Sequence, residues 1–196
     1  MLPTGNTDYF IDALERLNFK LVNCQIEGDF DFYIIGGFCL MLHGLRESTM
    51  DIDAYLDLDD NVKALIFEVG VELKNPDWLN QDINNLDTIL SLEALLTVAD
   101  AFELHRKIGK INIYIASLKT MLITKIIAAT NRQFQRDIRD ILSITARTGI
   151  SEALLDDLKE FEACDFDILA SLLGILFENT RIDEATFTRL YQYIGK

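Results

Sequence analysis

The spacing of apolar and polar positions divides the chain into two regimes. Over 7–22 ("TDYFIDALERLNFKLV") apolar residues recur at helical spacing, with Thr7 or Asp8 placed as a cap. "FDFYIIGG" (30–37) is a short apolar, β-prone run closed by glycines, which predicts a buried strand. "FCLMLHGL" (38–45) fits a short helix ended by Gly44. "MDIDAYLDL" (50–58) alternates acid with apolar residue, the period of a strand with two unlike faces. Asp59 or Asp60 is placed to cap a helix over 61–73, and Pro76 then breaks the chain before "DWLNQD". The stretch 80–105 has no decisive period. "KINIYIAS" (110–117) is a strand, and beyond it every segment reads helical: 118–130, 133–148, 152–163, 166–178 and 183–194. The pattern predicts an α/β (α+β) core over 1–117, followed by a helical region over 118–196 packed on that core.

Two aspartates interrupt this pattern. Residues at i and i+2 of a strand share a face, so Asp51 and Asp53 would present two carboxylates side by side while Ile52 enters the core. Two ionised carboxylates that close repel each other, and a divalent metal is the usual remedy. Mg²⁺ takes a few carboxylate oxygens and completes its octahedron with water and phosphate oxygens. The Gly36-Gly37 pair supplies a second half to such a site. A strand that turns at glycines into a helix leaves backbone N–H groups for a phosphate, with no side chain in its way. Arg46, Ser48 and Thr49 add a cation and hydroxyl donors just ahead of the aspartates.

Composition narrows the partners. The chain carries 32 acids against 18 bases, a net charge of −14 over 196 residues. Duplex binding rests on neutralising phosphates, so an extended nucleic-acid surface is not expected, whereas a basic protein partner suits such a surface. Cys24, Cys39 and Cys164 are odd in number and set among apolar neighbours, which predicts buried thiols in a reducing cytoplasm. The start, "MLPTGNTDYF", has no basic region or apolar core of signal-peptide length. The apolar stretch 168–177 is about half of what a membrane helix needs, so no membrane span is expected. "DLDDNVKALIFE" (57–68) resembles a calcium loop, but Val62 stands where that loop needs glycine. His43 and His105 lack partners for zinc or nucleophilic chemistry, and His43 is expected to make a structural hydrogen bond near the glycine turn.

"GGFCLMLHGLRESTMDID" resembles the signature of the nucleotidyltransferase superfamily: a glycine pair, a spacer, then an aspartate-x-aspartate strand. Its "HGLR-x-x-T-x-DID" form is similar to a bacterial group related to abortive-infection and toxin–antitoxin enzymes. "DWLNQD" (77–82), "LITKIIAATNR" (122–132) and "RDIRDI" (136–141) resemble later landmarks of that group, so the likeness covers about 30–145. It implies a small mixed sheet flanked by helices, and transfer of a nucleotidyl group from an NTP to a hydroxyl with Mg²⁺ or Mn²⁺. Carried over, Gly36 and Gly37 would contact the triphosphate and Asp51 and Asp53 would hold the metal. Lys125 and Arg132, on one helix face, would supply phosphate-binding charge. Asp137 and Asp140 would order those cations or act near the acceptor.

The sequence departs from the family at one place. Many members carry a third carboxylate on a neighbouring strand, but Asn112 or Tyr114 stands at the candidate position in "KINIYIAS". Asp82, Glu103 and Asp137 are the acids left to fill that role. Two function classes therefore stand: an active transferase with RNA, protein or a small molecule as acceptor, and a catalytically silent module. The second would bind a nucleotide or a protein partner, as one half of a toxin–antitoxin-like pair.

Overall fold

The computed structural model describes residues 5–80, 90–131, 135–161 and 165–195. They form two compact units: residues up to 80 with Phe102–Ser117, and 90–101 with everything described from Leu118 onward.

The first unit is a five-stranded mixed sheet with helices. Its strands are β1 (Phe30–Ile35), β2 (Ile52–Tyr55), β3 (Leu79–Asn80), β4 (Phe102–Ile108) and β5 (Ile111–Ala116), in the order β3-β2-β1-β5-β4. β1 runs antiparallel to β2 and parallel to β5, β2 is parallel to β3, and β4 and β5 form a hairpin. Alternation sorts side chains to two faces. Phe32, Ile34, Ile52, Ala54, Ile111, Ile113 and Ile115 are buried on one of them. The other carries Asp53 and Tyr55 on β2, Tyr33 on β1, and Asn112 and Tyr114 on β5. There Tyr33 stacks on Tyr114 at 4.9 Å between ring centroids and meets Phe102 edge-on at 5.2 Å.

The helices of this unit are α1 (Thr7–Asn23), α2 (Gly36–Leu42) and α3 (Asp60–Leu73). α1 is capped by Asn6, whose Oδ1 accepts from the Tyr9 backbone N–H at 3.0 Å, and not by Thr7 or Asp8. Phe10, Leu14, Leu17 and Leu21 form its buried stripe. Asp59 caps α3 as its position predicts. Lys20 of α1 ties the two together through Glu68 at 3.0 Å and Glu72 at 2.8 Å.

Trp78 positions β3. Its ring is fully buried and its Nε1–H donates to the Ile66 carbonyl at 3.0 Å, while its own carbonyl accepts from Ile52 N–H at 2.8 Å. A two-residue strand has little pairing of its own, so this anchor fixes where Leu79 and Asn80 lie beside β2.

The second unit is helical among the described residues. α4 (Leu92–Leu96) belongs here, followed by α5 (Leu118–Asn131), α6 (Gln135–Thr148), α7 (Glu152–Lys159), α8 (Phe166–Glu178) and α9 (Glu184–Tyr193). Leu169, Leu172, Leu173 and Leu176 bury one stripe of α8. No described helix is long and apolar enough to cross a membrane.

Some expectations change. The glycine pair opens α2 and does not merely precede it. β2 spans only Ile52–Tyr55, so Asp51 falls in a bend ahead of the strand. The cause lies in β1, whose last residue, Ile35, already pairs with Asp53, so the β1–β2 ladder ends before it reaches Asp51. The undecided stretch takes in the end of β3, α4 and the start of β4. Cys24 is exposed where burial was expected, Cys39 is buried, and Cys164 lies outside the described residues.

Two substitutions test the Trp78 anchor by urea denaturation. Trp78→Phe keeps an aromatic ring and loses the hydrogen bond, and should cost about 1 kcal/mol. Trp78→Ala empties the site and should cost about 3–5 kcal/mol. Equal, small losses would remove Trp78 as the element that fixes β3.

Candidate nucleotide and metal site

The site is built where β1 ends. Gly36 adopts φ +68°, in the left-handed region that L side chains avoid, and turns the chain from strand into α2. Asp53 stands opposite Ile35 in the β1–β2 register, so its carboxylate comes up against this turn. A Cβ at Gly36 would collide with Asp53 Oδ2. On the other side β2 pairs with β3, Asp53 opposite Asn80, and the Asn80 side-chain Nδ2–H donates to Asp53 Oδ1 at 3.0 Å. Asp53 is therefore held between a bare glycine and an amide donor. Asp53 and Asp51 are both half-buried.

Gly37 serves a second close approach. A Cβ there would strike the Thr49 hydroxyl and lie 3.2 Å from Arg46 Nη1. Thr49 is buried and pinned by a backbone bridge: Gly5 N–H donates to its carbonyl at 2.8 Å and Thr49 N–H donates to the Gly5 carbonyl at 3.2 Å. The Arg46 Nε–H donates to the Ser48 carbonyl at 2.8 Å, which fixes the plane of an otherwise exposed guanidinium. Ser48 itself is exposed. Gly36, Gly37, Arg46, Thr49 and Asp53 thus converge on one turn.

α2 is tied down behind that turn. His43 Nε2 lies 2.8 Å from the Ala116 carbonyl, the structural role expected of it, and Cys39 Sγ–H donates to the same oxygen at 3.4 Å. Burial pushes the Cys39 thiol up to about 12, so it is an inert packing group.

The donor set suits a hard cation. Asp51 and Asp53 offer only carboxylate oxygen, the ligand type of Mg²⁺ and Mn²⁺. The place a Cβ would take at Gly36 is filled by the Asp53 carboxylate itself, so the glycine sets where that carboxylate lies. Among the described residues no group of three His, Cys, Asp or Glu side chains gathers as a metal site.

The remaining candidate acids and cations fall elsewhere. Glu103 pairs with Ile115 in the β4–β5 register, which puts it on the sheet face opposite Asp53. Its charge contributes to raising the Cys39 thiol, as that placement requires. Asp82 and Arg132 lie outside the described residues. In the second unit, Lys125 Nζ sits 2.9 Å from Asp137 Oδ1 and 2.8 Å from Asp140 Oδ2. Burial, the largest influence, acts to lower the Lys125 pKa. The charges and hydrogen bonds of Asp140 and then Asp137 outweigh it, and the ammonium ends above its usual 10.5. A raised lysine pKa stabilises the fold below the unfolded value and loses that contribution only as pH rises through the folded one. The Lys125 contribution to stability is thus constant across neutral pH. Asp137 is 3% exposed, and its Oδ2 has no hydrogen-bond partner among the described residues.

Asn80 is the neighbour of Asp53 that sequence reasoning missed. Its only signal was its place within "DWLNQD", two positions before the acid that drew attention, Asp82.

A family model described as a nucleotidyltransferase of unknown function, DUF6036, matches residues 12–167. Searches of curated proteins and of solved structures found no match. The matched span takes in the glycine turn, the Asp51–Asp53 segment and Lys125 with its two acids. The chain belongs to this family of nucleotidyltransferases of unknown function.

Proposed function

We propose that this chain moves a nucleotidyl group from an NTP to a hydroxyl acceptor in RNA, a protein or a small molecule, with a divalent cation as cofactor. The observation that carries the reading is the Asp53 carboxylate packed against the Gly36 turn, with Arg46 and Thr49 closing on Gly37 beside it. Asp51 and Asp53 would hold Mg²⁺ or Mn²⁺, which supplies neutralisation of triphosphate charge and polarisation of the phosphorus. The protein's own residues supply position. Arg46 brings a planar guanidinium of fixed orientation, the group best matched to phosphate oxygens. Thr49 and Ser48 add hydroxyl donors, and Gly36 and Gly37 would offer backbone N–H groups to the triphosphate at a turn on which Asp53, Thr49 and Arg46 pack closely. Triphosphate binding by Lys125 and Arg132 belongs to the same proposal, with the Lys125 charge shared between Asp137 and Asp140. We read the setting as cytoplasmic, where thiols such as Cys39 stay reduced.

A second reading has its own observation. The Asp53 neighbour on β3 is the amide Asn80, and β5 offers Asn112 and Tyr114 on that face. Among the described residues no third carboxylate stands beside Asp53 to activate a hydroxyl. A chain of this kind would hold a nucleotide without turnover, as a module paired with a basic protein partner in a toxin–antitoxin-like system.

Binding, turnover and stability each test part of this reading. Asp51→Asn and Asp53→Asn should each weaken Mg²⁺·NTP binding at least ~10-fold, about 1.4 kcal/mol by calorimetry; undiminished affinity in both places the nucleotide elsewhere. Labelled NTPs of all four bases, incubated with the protein, Mn²⁺ and cell extract, should label an acceptor. Binding without any labelled product would select the silent module. Lys125→Met should lose about 3–5 kcal/mol of unfolding free energy, because buried Asp137 and half-buried Asp140 lose their cation. A stability loss under ~1 kcal/mol would detach Lys125 from that structural role.

A further inference from the structure

The apolar side chains that water reaches are gathered on two neighbouring helices of the first unit. Among the described residues, four of the nine large apolar side chains left exposed belong to α1 and α3: Phe19, Val22, Phe67 and Val71. Phe19 is the most exposed of all, at 67%. The core stripe of α1 runs through Phe10, Leu14, Leu17 and Leu21, so Phe19 and Val22 do not serve it. Phe19 and Val22 are three positions apart and Phe67 and Val71 four, so each pair forms an apolar strip along its helix. Exposed apolar residues scattered singly are ordinary, but strips on adjoining helices mark a surface that is used. Between α1 and α3 runs a groove of about 610 Å³, lined by Phe19 and Leu65 and by Cys24, the residue that ends α1. Its charged lining is acidic in balance. Glu15, Glu68 and Glu72 border it, and the two bases beside them are already claimed. Arg16 Nε lies 2.8 Å from Asp12 Oδ2, and Lys20 Nζ lies 3.0 Å from Glu68 and 2.8 Å from Glu72. Four carboxylates thus stand against two bases. A second copy seated on this face would set those carboxylates against their own copies, in a chain of net charge −14. A basic occupant gains where a second copy loses.

We infer that the groove between α1 and α3 docks an amphipathic helix of a partner protein, one whose apolar strip is flanked by lysine or arginine. The apolar anchors of that helix, recurring every three or four residues, enter beside Phe19 and Leu65, and its bases reach Glu15, Glu68 and Glu72. The apolar contact holds the complex, while the acidic border speeds encounter and excludes acidic partners. The inference depends on neither reading of the nucleotide site, because the groove uses none of the residues assigned there.

The probe is a synthetic helical peptide of about 18 residues, leucine on one face and lysine on the other, long enough to span either helix. Its twin carries glutamate in place of lysine. A fluorophore on exposed Cys24 reports occupancy of the groove, with Cys164→Ser removing a second thiol and Cys39 protected by burial. The lysine peptide should bind and shift the emission to the blue, with an affinity that falls as salt rises. The glutamate peptide should bind at least ~10-fold more weakly. Phe19→Ser should weaken the lysine peptide about 10-fold or more, the loss expected of an aromatic anchor, and Glu15→Lys should weaken it as well. Phe19 and Glu15 are both exposed, so the circular dichroism spectrum should not change. Leu104→Ser alters an apolar side chain of β4 that is 57% exposed, and should leave the affinity as it was. No binding of the lysine peptide, equal binding of the two peptides, undiminished affinity in Phe19→Ser, or the same loss in Leu104→Ser would overturn the inference. So would a parent chain that sediments as a dimer and is made monomeric by Phe19→Ser, since the occupant would then be a second copy.

Discussion

A carboxylate resting on a glycine Cα needs the glycine, the strand register and the following helix all in place at once. Gly36 meets the first need: at φ +68° an L side chain would cost about 1–2 kcal/mol in backbone terms and would also displace the Asp53 carboxylate. The antiparallel pairing of Ile35 with Asp53 meets the second. The third is met behind the turn, where His43 and Cys39 both reach the Ala116 carbonyl at the end of β5 and keep α2 from tilting away. The neighbouring strands β2, β1 and β5 thus all constrain one turn, and Arg46 and Thr49 close over it because Gly37 has no side chain to exclude them.

Charge is handled in opposite ways in the two units. Around Lys125 the charge of buried Asp137 and half-buried Asp140 is answered internally, by an ammonium within 2.9 Å of both. Such a cluster stabilises only while it is complete, since removing one member strands the others in a poor solvent. At Asp51 and Asp53 the carboxylates stay half-buried, and the amide of Asn80 donates to Asp53 without adding a charge. The first arrangement balances its charge with its own side chains, whereas the second is the pair to which the proposal above assigns the cation.

Much of this was legible in the sequence. β1, β5, α3 and the later helices follow from periodicity, because each buries one face against a core. The glycine pair and the alternation through "DIDAY" located the candidate site, and the family match supports that resemblance. Other features had no pattern to read. β4 is an edge strand with five consecutive exposed residues and a bulge between Leu104 and Arg106, so it has no apolar face to alternate. β3 is two residues long and exists because Trp78 is buried and hydrogen-bonded. Asn80 is uncharged, and its importance lies in a cross-strand partner 27 positions away. Asp51 shows the limit of strand logic: alternation assigned it to β2, but β1 had already ended.

The most direct measurement is the position of an ion. Crystals grown with Mn²⁺ and a non-hydrolysable nucleoside triphosphate, recorded at the manganese absorption edge, would give an anomalous peak for each bound ion. A peak is expected within ligand distance of about 2.0–2.3 Å of carboxylate oxygens from Asp51 and Asp53, with the triphosphate reaching the Gly36 turn and Arg46. A peak at other side chains, or a nucleotide bound away from that turn, would contradict a metal-dependent nucleotide site built on Asp53 and Gly36.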